Sequence, residues 1–233
     1  MLTRAEWKRL FAPGVRALRK HWMAFVLLQL AAFASVLAYY HHAGFQGVCE
    51  RLSGWKSEGG LWAAAGCAAV AGAILPELLK TALIDRVWGK RRVVDLLFQT
   101  GYFAVNGILV DLFYRLQTFL FGSGVHWTTV LAKMAFDQFV YTPLISIPYA
   151  LGLFTWRESG FRIAPVLQVL RPGVLLRKGS PLLACTLAYW IPMVVCIYAL
   201  PVALQFVLFV FALAAWALIL VFIVQEETAV PAA

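Results

Sequence analysis

Charged residues are scarce in this chain of 233 residues. They make up 13% of the sequence, and only 11 of them are Asp or Glu, whereas a soluble domain carries about 25% charged residues. This scarcity argues against a soluble globular domain. The net charge of +9 does not indicate a nucleic-acid partner, because the cations flank apolar runs and form no separate basic domain.

Cysteine is also rare, and the sequence contains no catalytic motif. Cys49, Cys67, Cys185 and Cys196 form no CxxC pair and no metal-ligand spacing with histidine, which argues against a disulfide framework. No Ser/His/Asp, HExxH or phosphate-loop pattern occurs. We therefore expect neither an enzyme with catalytic residues nor a bound metal or cofactor.

Long apolar runs dominate the sequence, which is 62% hydrophobic with a mean hydropathy of +0.79. The predicted membrane segments are Trp22–Tyr40, Leu61–Leu79, Leu96–Phe121, Trp127–Thr155, Leu182–Leu200 and Val202–Val224. The last two are contiguous, and Pro201 is the expected break between them. The sequence thus predicts an all-α, polytopic helical membrane bundle of five to six transmembrane helices, in one domain over residues 21–233.

Loop charge predicts the orientation of these helices. Lys and Arg concentrate in residues 1–20, 80–92 and 157–178, and the intervening loops have few, so the basic segments should lie inside. Residues 1–20 predict a basic amphipathic helix at the membrane surface, with a mitochondrial targeting segment as the alternative. Residues 156–178 predict a second amphipathic segment on the inner surface, or an ordinary basic loop. We expect a cytoplasmic membrane if the source is bacterial and a mitochondrial inner membrane if it is eukaryotic.

Four charged residues inside the third and fourth apolar segments are the main functional candidates: Asp111, Arg115, Lys133 and Asp137. Ionisable residues within a membrane span are costly and usually face the protein interior. Each helix has its cation and anion four residues apart, on one face. Because a short connection near Gly124 makes the two helices antiparallel neighbours, we expect the four charges to meet between them near mid-bilayer. Other polar groups are expected near this level: Tyr114, Gln138 and Tyr141.

This charged quartet has two interpretations. It lines a pore or a path for a small solute or ion, or it is a structural ion-pair network that orients two helices. A further set of residues is expected to control helix packing or kinking: Gly107, Pro143, Pro148, Pro192 and Pro201.

The fourth segment contains the pattern K-x-x-x-D-Q-x-x-x-x-P at Lys133, Asp137, Gln138 and Pro143. Weaker matches occur in the same order along the chain, at Gly107, Tyr114, Tyr198, Pro201 and Trp216. In this pattern the chain resembles the Mpv-seventeen / peroxisomal-membrane-protein-twenty-two family of small integral membrane proteins, over residues 61–225. Departures from the family pattern occur at Ala73, Ile108, Asp111 and Cys196, which indicates a divergent member.

The resemblance implies a helical membrane bundle, proposed in some family members to form a pore or to influence metabolite homeostasis. We therefore expect a channel or transporter-like protein that uses the charged quartet and has the lipid bilayer and a small solute or ion as partners. The alternative is a non-conducting structural or partner-binding membrane protein. The sequence does not indicate an oligomeric state.

Overall fold

Helices account for almost all of the chain in the computed structural model, which describes residues 3–84, 86–122 and 126–229. The helices are α1 (Arg4–Lys20), α2 (Trp22–His41), α3 (Ala43–Glu58), α4 (Gly60–Ala69), α5 (Leu75–Leu83), α6 (Lys90–Phe121), α7 (Trp127–Phe136), α8 (Ile147–Glu158), α9 (Ile163–Val169), α10 (Pro172–Tyr198) and α11 (Val202–Ala229). Two π-helical segments join helices into longer ones: the first π segment (Val70–Ile74) links α4 to α5, and the second (Asp137–Ser146) links α7 to α8. No β-strand occurs in the described residues, so the predicted all-α fold is confirmed.

Six helical stretches in the described ranges are long and apolar enough to cross a membrane. They are Trp22–His41, Gly60–Leu83, Lys90–Phe121, Trp127–Glu158, Pro172–Ile197 and Val202–Thr228. The length and composition of these helices make the chain an integral membrane protein. Of the five to six predicted membrane helices, the described residues contain six. Pro201 lies in the break between α10 and α11, where its missing N–H cannot continue the helix.

The outer surfaces of these spans are apolar. Large apolar side chains such as Phe33, Leu97, Phe119 and Leu144 are exposed, and extensive exposure of this kind is unusual in a water-soluble protein. In a bilayer these side chains contact lipid tails, so their exposure carries no hydrophobic penalty. In contrast, α11 is buried along most of its length.

Two spans begin earlier than the apolar pattern predicts. The third starts at Lys90 instead of Leu96, and the fifth starts at Pro172 instead of Leu182. Both helices extend into basic segments, whose polar side chains do not contribute to a hydropathy pattern but do not prevent helix formation. The predicted amphipathic segment 156–178 therefore divides into the end of α8, the short helix α9 and the first turns of α10.

The described helices group into two compact units. Unit I contains α1, α6 from Gln117, α7 to α9 with the second π segment, α10 up to Pro192, and α11 from Ile219. Unit II contains α2 to α5 with the first π segment, α6 up to Leu116, α10 from Met193, and α11 up to Leu218. The sequence predicts no such division within residues 21–233.

In unit II, glycines allow α6 to pack closely against the second span. A Cβ atom at Gly107 would overlap the Ala64 carbonyl oxygen and the Ala68 side chain, and a Cβ at Gly72 would overlap the ring of Phe103. Small residues at such crossings let helix backbones approach each other in membranes. The contacts run in opposite directions along the two spans, so the spans are antiparallel.

In unit I, α1 packs against α10 and α11. Its small residues Pro13, Gly14 and Ala17 are buried, and Gly14 lies against Cys185. The Arg16 guanidinium donates to the Glu226 carboxylate at 2.8 Å, which raises the pKa of Arg16. The predicted surface helix is thus attached to the spans through one face, and its other face exposes Trp7, Val15 and Leu18 with most of its cations.

Candidate functional site

The K-x-x-x-D-Q-x-x-x-x-P pattern falls on the second π segment. Lys133 lies in the last turn of α7, Asp137 begins the π segment, and Pro143 lies inside it. Pro148 lies in the first turn of α8, where the helix returns to α geometry. Proline supplies no N–H and disturbs the preceding turn, which gives a local cause for the irregular helix. Short π-helical stretches inside longer helices are frequent at functional sites.

The second π segment has a polar face and an apolar face. Gln138, Tyr141 and Thr142 are buried, and Asp137 beside them is half-buried. The opposite face exposes four large apolar side chains: Phe139, Val140, Leu144 and Ile145. The polar side chains thus face the protein interior and the apolar ones face outward, as expected for a membrane helix with polar groups at mid-span. We call Asp137, Gln138, Tyr141 and Thr142 the polar face of the fourth span.

One polar atom of this face has no hydrogen-bond partner in the described part of the chain. The side-chain oxygen of Gln138, Oε1, is buried and unpaired. The Gln138 amide nitrogen lies 3.5 Å from Asp137 Oδ2, a distance at the limit of a hydrogen bond. A buried polar atom without a partner destabilises the fold by about 1–3 kcal/mol. Its retention at mid-span therefore suggests that a bound ligand or ion contacts it.

Aromatic hydroxyl groups extend the polar face along the helix. The Tyr141 hydroxyl lies near the Asp137 carboxylate, and the hydroxyl of Tyr149 in α8 lies near that of Tyr141. Together these side chains carry polar groups from the start of the π segment into α8.

The predicted ion pair between Lys133 and Asp137 is absent. No described cation lies within 4.0 Å of the Asp137 carboxylate. The backbone keeps the two residues one helical turn apart, because the Asp137 N–H donates to the Lys133 carbonyl, so the pair is missing because the two side chains do not point at each other. The backbone carbonyl of Lys133 accepts a hydrogen bond of 2.8 Å from Gln117, which fixes the end of α6 beside α7 within unit I.

The other half of the predicted quartet is paired, but with an additional residue. Arg115 Nε lies 2.8 Å from Asp111 Oδ2, and Lys56 Nζ of α3 lies 4.0 Å from Asp111 Oδ1. Arg115 is also near Gly60, the first residue of the second span. The Arg115 side chain is 62% exposed, so the expectation that all four charges are buried is wrong for this residue. Tyr114 is exposed as well.

Asp111, Tyr114 and Arg115 belong to unit II, whereas Lys133, Asp137, Gln138 and Tyr141 belong to unit I. The participation of Lys56 was missed, because it lies outside the apolar segments. The sequence did offer a clue, since Arg51 and Lys56 are the only Lys or Arg residues between the first and second predicted membrane segments.

A second buried carboxylate lies in unit II, in the first turn of α5. Glu77 follows Pro76 and is 5% exposed. Its carboxylate pairs with Lys80 at 2.5 Å and with the Arg92 guanidinium at the start of α6. Arg92 also donates to the Thr81 hydroxyl at 2.8 Å. These contacts join α5 to α6, so we assign this cluster a structural role.

No family model, curated protein or solved structure matches this chain. The resemblance to the Mpv-seventeen / peroxisomal-membrane-protein-twenty-two family therefore stays a prediction, carried mainly by Lys133, Asp137, Gln138 and Pro143. Three of these four residues lie in the second π segment. Among the described residues, no group of three or more His, Cys, Asp and Glu side chains is placed to hold a metal ion.

Proposed function

We propose that this protein is a membrane channel or transporter for a small solute, and that the polar face of the fourth span binds the solute. The observation that supports the proposal is the concentration of buried polar side chains on the second π segment, at the middle of Trp127–Glu158. The segment is about 15 Å from Trp127 at 1.5 Å per residue.

Two physical arguments favour this function. Polar groups inside a bilayer are costly and are retained chiefly where they face a partner or a path. Many transporters bind their substrates near the bilayer midplane with interrupted helices, whose irregular backbone offers free polar groups. The fourth span has both buried polar side chains and an irregular, π-helical backbone at its middle.

Of the predicted charged quartet, only the half on the fourth span is assigned to solute binding. The Asp137 carboxylate has polar neighbours but no cation of the described chain within 4.0 Å. The Asp111 carboxylate, in contrast, pairs with two cations, Arg115 and Lys56. The family resemblance also favours a pore or transport role, and its best-matching motif includes Asp137 and Gln138. Because basic residues concentrate in residues 1–20, 80–92 and 157–178, we place these segments on the cytoplasmic side, or on the matrix side of a mitochondrial inner membrane.

Flux measurement in proteoliposomes tests the proposal. The purified chain is reconstituted beside empty vesicles, and leakage of ions and small metabolites is followed with and without a membrane potential. We expect flux from the wild type and a loss of about tenfold in Gln138→Leu, since one lost polar contact of about 1.4 kcal/mol corresponds to that factor.

Gln168→Leu makes the same chemical change at an exposed position of α9 and should leave flux unchanged. Wild-type vesicles that leak no faster than empty vesicles would contradict transport. They would favour the alternative of a structural or partner-binding membrane protein whose charges hold helices in register.

A further inference from the structure

We infer that the polar face of the fourth span binds a sodium ion, with oxygen ligands from the Asp137 carboxylate and from the side-chain and main-chain carbonyls of Gln138. The inference rests on the proposed function, and it names the class of solute or coupling ion as a small monovalent cation. It is carried by three observations on the second π segment.

The first observation is charge. Asp137 is half-buried in a membrane span, and no cation of the described chain lies within 4.0 Å of its carboxylate. A carboxylate in a low-dielectric site is neutralised either by a proton or by a positively charged partner, and a bound cation is such a partner. One carboxylate neutralises one positive charge, which favours a monovalent ion over a divalent one.

The second observation is the unpaired oxygen of Gln138. The amide group lies beside Asp137, with its nitrogen 3.5 Å from Asp137 Oδ2 and its buried oxygen without a partner. A rotation of the amide by half a turn exchanges the two atoms at little cost in shape. The oxygen then lies about 3.5 Å from Asp137 Oδ2, which is close to the separation of roughly 3.4 Å between neighbouring oxygen ligands of an ion bound at 2.3–2.6 Å. Sodium has nearly the same radius as calcium, and the larger potassium ion requires wider spacing.

The third observation concerns the backbone. In a π helix the N–H of each residue bonds the carbonyl five residues earlier. Pro143 has no N–H, so it cannot satisfy the carbonyl of Gln138 five residues before it. That carbonyl belongs to the same residue as the unpaired amide oxygen. Interrupted membrane helices commonly use such carbonyls as ligands of sodium ions.

Thermal unfolding of the full chain in detergent tests sodium binding directly. The apparent Tm is measured while choline chloride is replaced by NaCl or KCl at constant ionic strength. A ligand that binds only the folded state stabilises it in proportion to the logarithm of its concentration. We expect the Tm to rise by roughly 3 °C for each tenfold increase in sodium above the dissociation constant, with a smaller rise in potassium.

The sodium-dependent rise should disappear in Asp137→Asn and persist in Asp111→Asn, a matched change of an aspartate that already has two cations. Gln138→Leu keeps the Asp137 charge and should weaken the rise. It therefore still tests the site if Asp137→Asn does not fold. A wild-type Tm that does not respond to sodium, or a response that survives in folded Asp137→Asn, would overturn the inference.

Sodium binding and transport are measured separately, so their failures are distinguishable. Flux without any sodium-dependent Tm shift would leave the proposed function standing and remove the sodium site. A sodium-dependent shift without flux of any solute would leave the site standing as a structural one and remove the proposed function.

Discussion

Asp111 and Asp137 carry the same side chain inside apolar helices, yet their surroundings differ. Asp111 has Arg115 within 2.8 Å and Lys56 at 4.0 Å. Asp137 has the amide of Gln138 at 3.5 Å. A paired carboxylate is already neutralised and serves mainly to position helices, whereas an unpaired one in a membrane retains its capacity to bind a cation. Asp137 is therefore the better candidate for a residue that binds the solute or ion.

Glu77 provides a stability test at the residue scale. Its side chain is 6% exposed and pairs with both Lys80 and Arg92. Glu77→Gln removes the carboxylate charge that Lys80 and Arg92 share, and breaking a buried pair from one side costs roughly 3–5 kcal/mol. We expect a clear fall in the apparent Tm in detergent.

Asp111→Asn is the matched control, because its partner Arg115 is largely exposed and exposed ion pairs contribute at most about 1 kcal/mol. Equal shifts in the two variants would contradict the structural role assigned to the Glu77 cluster.

At the scale of elements, close packing joins the second and third spans. Gly107→Ala adds a methyl group where the Ala64 carbonyl and the Ala68 side chain already lie, and overpacking of this kind costs roughly 1–3 kcal/mol. Gly101→Ala changes the same helix where an added Cβ meets no atom within 4 Å. Since alanine is a better helix former than glycine by up to about 1 kcal/mol, we expect Gly101→Ala to be neutral or stabilising.

Apparent Tm values of the two glycine variants in one detergent check this expectation. A Gly107→Ala protein as stable as Gly101→Ala would show that the two spans do not touch at this position.

The helical elements were largely predictable, and their irregularities were not. Apolar runs mark the spans because crossing the bilayer takes about 20 apolar residues, and Pro201 marks the break between α10 and α11 because it cannot donate a hydrogen bond. The π geometry at Asp137 was not predictable, because hydropathy does not distinguish hydrogen bonds to the fourth residue from bonds to the fifth. Pro143 signals an irregular helix without specifying its kind. Lys56 and Arg92 were missed as partners because pairings between distant residues follow from packing.

At the scale of the whole molecule, loop charge predicts one topology. It places the loop near Gly44 outside and the loop near Gly89 inside. Native Cys49 cannot report this, since it is fully buried and burial raises the pKa of its thiol, which disfavours the reactive thiolate. Gly44→Cys and Gly89→Cys are matched reporters, because both positions are exposed and an added Cβ meets no atom within 4 Å at either.

We expect an impermeant maleimide to label Gly44→Cys in intact cells and Gly89→Cys only after lysis, with the unsubstituted chain as background. The reverse pattern would invert the topology. Six spans and an interior N-terminus together place the C-terminal end of α11 on the same side as α1, as the ion pair between Arg16 and Glu226 requires.

The central claim is that the polar face of the fourth span carries solute across the membrane. Comparison of flux through Asp137→Asn and Asp111→Asn, reconstituted at equal folded amounts, tests it most directly. Both variants remove one carboxylate charge and keep the side-chain shape, and only Asp137 lies on the polar face. We predict that Asp137→Asn loses most of the wild-type flux and that Asp111→Asn retains it. Wild-type flux through Asp137→Asn, or an equal loss in both variants, would contradict the claim.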